Sequence, residues 1–234
     1  MFRHGIRGAH RSTPDSSYGE LAMNLRYVSV EGPPGVGKTA LVERLAAHLE
    51  ASVVLESSEN PFLRDFYHEK PGAAFQTQMF FLLSRYRQLS ELAQRELFRQ
   101  VTTCDFIFAK DKVFAYLNLD DTELMLYEKI YRVLEGEVPP PELVIYLQAP
   151  AEVLIKRLKS KTRRADPGPG ETYLRELVKA YDYFFFHYSA TPLLVVNTAD
   201  VDFSHPGTGL DDLIHEMQSL SGGTRFYMPG RSQG

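Results

Sequence analysis

The sequence predicts an α/β fold: a five-stranded parallel sheet with helices on both faces, in a single folded unit. Three observations carry this. Short β-rich runs alternate along the chain with stretches of helical apolar period, the order that builds a parallel sheet covered on both sides. A glycine-rich segment, Gly32-Pro33-Pro34-Gly35-Val36-Gly37-Lys38-Thr39, joins the first such run to the first helical stretch. The 234 residues, 44% hydrophobic and 24% charged, are ordinary for a domain that buries its own core. That composition excludes a largely disordered chain, a collagen and a coiled coil.

Residues 26–31 are β-rich and stop at Gly32, which predicts the first strand. Residues 39–49 are helical, since Leu41, Leu45 and Leu49 recur every four residues. A second strand spans 52–56, with Val53, Val54 and Leu55 at its centre, and 61–67 reads as a short helix. A long helix runs from Ala73 to about Val101, with Phe75, Met79, Leu82, Leu83 and Tyr86 in helical register. Residues 105–109 form a third short apolar run. Residues 121–134 are helical, with Leu124, Tyr127, Ile130 and Leu134 on one face. Pro139-Pro140-Pro141 breaks the chain before a strand at 143–147. A helix follows at 151–158, then a loop at 166–170 containing Pro167 and Pro169. An aromatic-rich helix at 173–188, a last strand at 193–197 and a closing helix at 210–220 complete the alternation.

Net charge is −4, so no global basic field draws the chain to nucleic acid or to a membrane surface. One cysteine, Cys104, excludes an internal disulfide and a cysteine-rich zinc site, and fits a reducing cytoplasm. No stretch approaches 18 uncharged apolar residues. Residues 1–24 carry Arg3, Arg7 and Arg11 without an apolar core behind them, unlike a secretory signal. We read them as a flexible leader ahead of a start near Met23; an organelle transit peptide is the alternative, since acidic residues are absent before Asp15. The folded unit is expected at 25–221, with a tail at 222–234.

The segment 32–39 is a complete G-x-x-x-x-G-K-T between a predicted strand and a predicted helix, the context of a nucleotide phosphate loop and of the P-loop NTPase fold. Its glycines let backbone N–H groups surround phosphate oxygens, and the helix N-terminus adds positive partial charge. Lys38 reaches the β- and γ-phosphates, and Thr39 offers a hydroxyl to Mg²⁺. A chance match in a chain of this length is roughly one in a hundred. The motif by itself predicts a nucleotide and Mg²⁺; ATP enters with the kinase reading that follows. No guanine-reading N-K-x-D is present, and the apolar strand Val144-Ile145-Tyr146-Leu147 runs into Gln148-Ala149-Pro150 rather than an acidic pair, which disfavours a GTPase and a motor ATPase. A kinase of a small substrate is left. Glu56 closes the second predicted strand, where ligands bind in open α/β sheets. A carboxylate there can take the proton of an attacking hydroxyl.

After the phosphate loop come Val53-Val54-Leu55-Glu56, Asn60-Pro61-Phe62-Leu63, Phe66-Tyr67, Gln78-x-x-Phe81-Leu82-Leu83-Ser84-Arg85-Tyr86, Asp105-Phe106-Ile107-Phe108 and Pro141-Glu142-Leu143-Val144-Ile145-Tyr146-Leu147, then a basic segment and Tyr173-Leu174. Over residues 26–203 this series resembles the deoxynucleoside kinase family, in particular its bacterial deoxyadenosine and deoxyguanosine kinase-like members. The resemblance implies transfer of the ATP γ-phosphoryl group to the 5′-hydroxyl of a deoxyribonucleoside, and a homodimer. It makes Glu56 the general base, Tyr67 the contact to the sugar 3′-hydroxyl, and Gln78 the amide that reads the base edge. Gln76 competes with Gln78, but two residues apart on a helix means nearly opposite faces. The run from Lys156 to Arg164 resembles the family's basic lid. Lys161, Arg163 and Arg164 match cations that clamp the transferring phosphoryl group, and Arg157 matches a basic residue at the helix end. Asp166 stands where the family usually has a glutamate that reaches the 3′-hydroxyl. One departure is plain. Many members have an acidic-Arg-Ser motif after the third strand, and here Cys104-Asp105-Phe106 stands in that place. Asp105 is then a candidate for Mg²⁺ and for the substrate side of the site, and Lys110 and Lys112 are candidates for the missing arginine's work. The alternatives are a nucleoside monophosphate kinase of the thymidylate type and a nucleotide-binding regulatory protein without turnover.

Overall fold

A computed structural model describes residues 25–57, 59–94, 101–161, 170–203 and 209–230. The strands are β1 (Tyr27–Glu31), β2 (Ser52–Val54), β3 (Thr102–Cys104), β4 (Leu143–Gln148), β5 (Leu193–Asn197) and β6 (Thr224–Tyr227). The helices among these residues are α1 (Lys38–Leu49), α2 (Leu63–Tyr67), α3 (Ala73–Gln94), α4 (Asp111–Asn118), α5 (Asp121–Glu135), α6 (Ala151–Lys161), α7 (Glu171–Phe186) and α8 (Leu210–Ser219), with a 3₁₀ turn at Phe108–Lys110 before α4.

All neighbouring strands are parallel, in the order β2-β3-β1-β4-β5-β6. β1 and β4 are buried on both faces; β4 reads as a near-continuous apolar run, while β1 carries the polar Ser29 and Glu31 within its buried length. Successive side chains of β4 serve opposite layers. Leu143, Ile145 and Leu147 join α1, α6 and α8 in one core, while Val144 and Tyr146 pack with Val113 of α4 and Leu177, Tyr181 and Phe185 of α7. A third cluster sets Tyr27 and Cys104 against Leu82 and Leu89 of α3 and Tyr127 and Tyr131 of α5. Each fully buried side chain of this size contributes about 1.5–3 kcal/mol.

Three expectations are corrected. The sheet has six strands, not five: residues 224–227, expected within the tail, pair with β5 from Leu193↔Thr224 to Val196↔Tyr227. Gly223, at φ +69, turns the chain there, and its carbonyl accepts the Leu193 N–H at 2.9 Å. The strand is short, and only Tyr227 is buried, so its apolar pattern is faint. Next, β2 ends at Val54, two residues before Glu56. As an edge strand it pairs with β3 alone, and the chain leaves the ladder once the Asp105 N–H has bonded to the Val54 carbonyl at 3.2 Å. Last, the third strand is the β-branched Thr102-Thr103 with Cys104, and the apolar residues after it are not strand. Glu31 takes the Ile107 N–H at 2.8 Å and the Ser29 hydroxyl donates to the Phe106 carbonyl at 2.6 Å, which bends residues 105–107 across the end of β1.

β1 has β3 on one side and β4 on the other, so connections leave it in opposite directions and open a crevice beyond its carboxyl end. Glu31 ends β1, Asp105 follows β3 and Glu56 lies two residues past β2, and the three meet there.

Candidate active site

The phosphate loop fills the crevice. Gly32 stands at φ +149, and a Cβ there would meet the Leu147 carbonyl oxygen at 2.5 Å, so only glycine fits. Gly37, at φ +107, occupies the N-cap of α1 and makes no side-chain cap, which leaves the first N–H groups of a twelve-residue helix open to an anion. Lys38 begins α1 and its Nζ donates to the Gly32 carbonyl at 2.7 Å, which folds the amine back over the loop. Burial, with Lys110 nearby, pushes this amine below its ordinary range, so an incoming polyphosphate would be a strongly preferred partner. Thr39 donates its hydroxyl to Asp105 Oδ2 at 3.0 Å, and Asp105 Oδ1 accepts the Glu56 N–H at 2.6 Å.

Glu56 sits at the wall between this loop and a cavity of about 380 Å³. Both of its oxygens are held by cations. Arg85 Nε and Nη2 lie 2.7 and 2.6 Å from Oε1, and Lys110 Nζ lies 2.5 Å from Oε2. Burial alone would raise the Glu56 carboxyl, but Arg85 and Lys110 outweigh it and hold the group at about 2, so it is ionised at every working pH. Lys110 is itself 2% exposed and stands 3.8 Å from the fully buried Glu31, which accepts the Gly32 N–H at 3.0 Å. Burial pushes the Glu31 carboxyl up, against the pull of Lys110 and Lys38.

Beyond Glu56 the cavity is walled by Phe66, Phe81, Phe114 and Tyr173, and Tyr67 and Gln78 line it as well. Gln76 is exposed and Gln78 is 3% exposed, so of the two it is Gln78 that faces inward. Gln78 Nε2 donates to Asp111 Oδ1 at 2.5 Å and to the Asp111 carbonyl at 3.0 Å. Arg85 Nη1 donates to Asp111 Oδ2, so one guanidinium bridges Asp111 and Glu56. Lys112 points elsewhere, its Nζ 4.2 Å from the Tyr131 ring centre and 3.7 Å from Glu135. Of the two lysines considered for the missing arginine, Lys110 is the one at Glu56.

Of the expected site residues, the structure brings together 32–39, Glu56, Tyr67, Gln78 and Asp105. Lys161 is the last residue of α6, and Arg163, Arg164 and Asp166 lie outside the described residues. Arg157 donates to the carbonyls of Thr198 at 2.7 Å and Val201 at 3.2 Å, in the segment that follows the carboxyl end of β5. Sequence reasoning gave no role to Arg85, Asp111 or Glu31. The available signal was spacing: Arg85 follows Gln78 by seven residues, two helical turns, and therefore shares its face.

A model of the deoxynucleoside kinase family matches residues 28–221 of this chain. The chain belongs to the deoxynucleoside kinase family. The kinase is 32% identical over 179 residues to a deoxyguanosine kinase of Bacillus subtilis (strain 168), covering 75% of this chain and 86% of that one. It is 29% identical over 183 residues to a deoxyadenosine kinase of Dictyostelium discoideum, covering 74% and 73%. Its fold matches the structure of deoxyadenosine kinase from M. mycoides with bound dATP, at a TM-score of 0.67 and 23% identity, over 83% of this chain and 98% of that one. The kinase thus phosphorylates deoxynucleosides. Among the described residues no helix is long and apolar enough to cross a membrane.

Proposed function

We propose that the kinase transfers the γ-phosphoryl group of ATP to the 5′-hydroxyl of a purine 2′-deoxyribonucleoside. The observation that carries this is Glu56: an ionised carboxylate clamped by two cations, on the wall shared by the phosphate loop and an aromatic-sided cavity. In this reading Glu56 accepts the 5′-hydroxyl proton. The O5′–P bond forms as the bond from the γ-phosphorus to the β,γ-bridging oxygen breaks, and its electron pair leaves with ADP. Lys38 leaves the Gly32 carbonyl for the β- and γ-phosphate oxygens, and the N–H groups of the loop and of α1 hold them. The lid cations Lys161, Arg163 and Arg164 are assigned to the transferring group. Tyr67 is assigned to the sugar 3′-hydroxyl with Asp166.

The Thr39 hydroxyl and the Asp105 carboxylate are hard oxygen donors already in contact, the chemistry that suits Mg²⁺. They would hold the ion, which when bound supplies charge neutralisation to the β- and γ-phosphate oxygens.

Gln78 faces the cavity and offers the base its amide, with Asp111 buried behind it and Arg85 beside it. The purine assignment is supported by relatives named for deoxyguanosine and deoxyadenosine. A thymidylate-type kinase needs an arginine for the acceptor's own phosphate, and in this cavity Arg85 is engaged by two carboxylates instead. Incubation with ATP, Mg²⁺ and each of the four deoxynucleosides, with detection of the monophosphates, tests the reading. Product from deoxyadenosine or deoxyguanosine is expected, and turnover of pyrimidines alone would overturn the base assignment. A homodimer belongs to the same proposal. α4 and α7 expose Tyr116 (57%), Tyr183 (72%) and Phe186 (82%), aromatic surface that a second copy would cover. Sedimentation at micromolar concentration checks it, with loss of the dimer in Phe186→Glu.

A further inference from the structure

Among the described residues, Arg85 is the one group in the site that touches both the proton acceptor and the apparatus facing the base. Its side chain is 5% exposed. A guanidinium is planar and rigid, so its two ends move together. One end holds Glu56 Oε1 through Nε and Nη2, and the other holds Asp111 Oδ2 through Nη1. Asp111 is fully buried at the start of α4, and its remaining oxygen takes the Gln78 amide. Since a carboxylate only accepts, Asp111 fixes the orientation of that amide: nitrogen toward Asp111, oxygen away from it. Gln78, Asp111, Arg85 and Glu56 therefore form one unbroken hydrogen-bonded row from the base reader to the proton acceptor.

Glu56 has little else to fix it. It lies two residues past the end of a three-residue edge strand, with its N–H on Asp105 and its neighbour Leu55 tied through its carbonyl to Gln88 Nε2 at 2.9 Å. Two cations set the direction of its carboxylate. Lys110 anchors one oxygen from the side of Glu31, away from the base. Arg85 anchors the other from the side of Gln78.

We propose that Arg85 is a positioning residue that makes phosphoryl transfer depend on how the base is read: a base edge engaged by Gln78 fixes Asp111 behind it, Asp111 fixes Arg85, and Arg85 fixes Glu56 against the 5′-hydroxyl. This rests on the assignment of Glu56 as proton acceptor. A nucleoside whose base leaves Gln78 unengaged still binds by its sugar and by ring packing, but meets a carboxylate that is less firmly aimed. Misplacement of a reacting group by about 1 Å costs on the order of 10²-fold in rate.

The test compares a purine deoxyribonucleoside with benzimidazole 2′-deoxyriboside, which keeps a fused ring of similar size and lacks the polar edge of the six-membered ring. Single-turnover transfer rates are measured with both ATP and acceptor saturating. In the unmodified kinase the benzimidazole substrate should react about 10- to 100-fold more slowly at saturation. In Arg85→Lys, which keeps the charge and loses the planar bridge, the purine rate should fall to that of the benzimidazole substrate, so the ratio collapses to about one. Equal saturated rates in the unmodified kinase, with the difference confined to KM, would show that the row only binds, and would overturn the proposal without any variant having to fold. A ratio that persists in Arg85→Lys would overturn it as well. Glu56→Gln separates this failure from that of the underlying assignment. If it slows both substrates while the unmodified kinase treats them alike, Glu56 stands and the coupling falls. If it slows neither, the assignment of Glu56 falls and the proposal with it.

Discussion

Glu56 is the residue on which chemistry and stability meet. Glu56→Gln should lower the transfer rate by about 10²–10⁴-fold, the usual contribution of a general base, with nucleoside binding changed much less. The same variant reads out the ion cluster. The folded state holds this carboxyl at about 2, below its ordinary 4.5, so the unfolded chain binds the extra proton. The stability that Glu56 adds is therefore fully present above about pH 5 and is lost as the pH falls toward 2. Glu31, held high by burial, works in the opposite direction but is common to both proteins. The difference in urea-unfolding free energy between the unmodified kinase and Glu56→Gln should be widest near neutral pH and close on acidification. A gap independent of pH would mean that the two cations do not hold the ionised form. Lys38→Ala should nearly abolish transfer, since the Lys38 amine is the one folded back onto the loop's own carbonyl among the described residues, while leaving the unfolding temperature close to that of the parent. Lys38 and Thr39 stood out as candidates by their motif, Glu56 by its place after a strand and Gln78 by the family resemblance. Arg85 and Asp111 were not assigned, and Lys110 was named only alongside Lys112, because an ion bridge between three elements becomes visible only once the helix faces that meet are known.

Elements were legible where period and length agreed. α1, α5, α7, α8 and β5 lie within about two residues of expectation, as boundaries usually do. The 3₁₀ turn and α4 were missed, since the apolar residues from Phe106 to Phe108 imitate a strand. What removes them from the sheet is polar: Asp105 must reach both Thr39 and the Glu56 N–H, and Glu31 captures the Ile107 N–H. α5 shows the reverse case, a boundary written in full. Asp120 Oδ1 accepts the N–H groups of Thr122 and Glu123 at 2.9 Å each, and Glu123 returns a bond to the Asp120 N–H at 3.3 Å. Asp120→Ala should cost about 1 kcal/mol, which in a chain of this size lowers the unfolding temperature by about 2–4 °C. Activity at 25 °C should be unchanged, because α5 packs on α3, α4 and Phe108 but adds no side chain to the cavity wall. A loss of transfer in a folded Asp120→Ala protein would show that α5 does more than brace.

At the scale of the whole molecule, the sequence indicates parallel strands and two helical layers but not the strand order. Alternation of strand and helix is compatible with several orders, because each crossover can pass one neighbour or skip it. The observed order sends the chain from β1 out to the edge and back, and inserts β3 between β1 and β2 only after α3 has been laid down. The site exists because of that return: it brings Asp105 to Thr39, 66 positions earlier in the chain, and Arg85 to Glu56, 29 positions earlier.

Cys104 ends the inserted strand, held between Ser29 of β1 and Val54 of β2, with no exposed surface. Burial pushes its thiol far above the ordinary range, so almost none of it is thiolate. It is also the chain's one sulfhydryl. An alkylating probe added in excess can therefore mark the protein only while β3 is parted from its neighbours. The time course of that labelling, followed as a single mass increment, is a clock for how often the sheet opens behind the active site. ATP and a deoxynucleoside, by holding the residues on either side of that strand, should slow the clock together more than either does alone. Labelling at the same rate with and without both ligands would mean that the site closes without tightening the sheet beneath it.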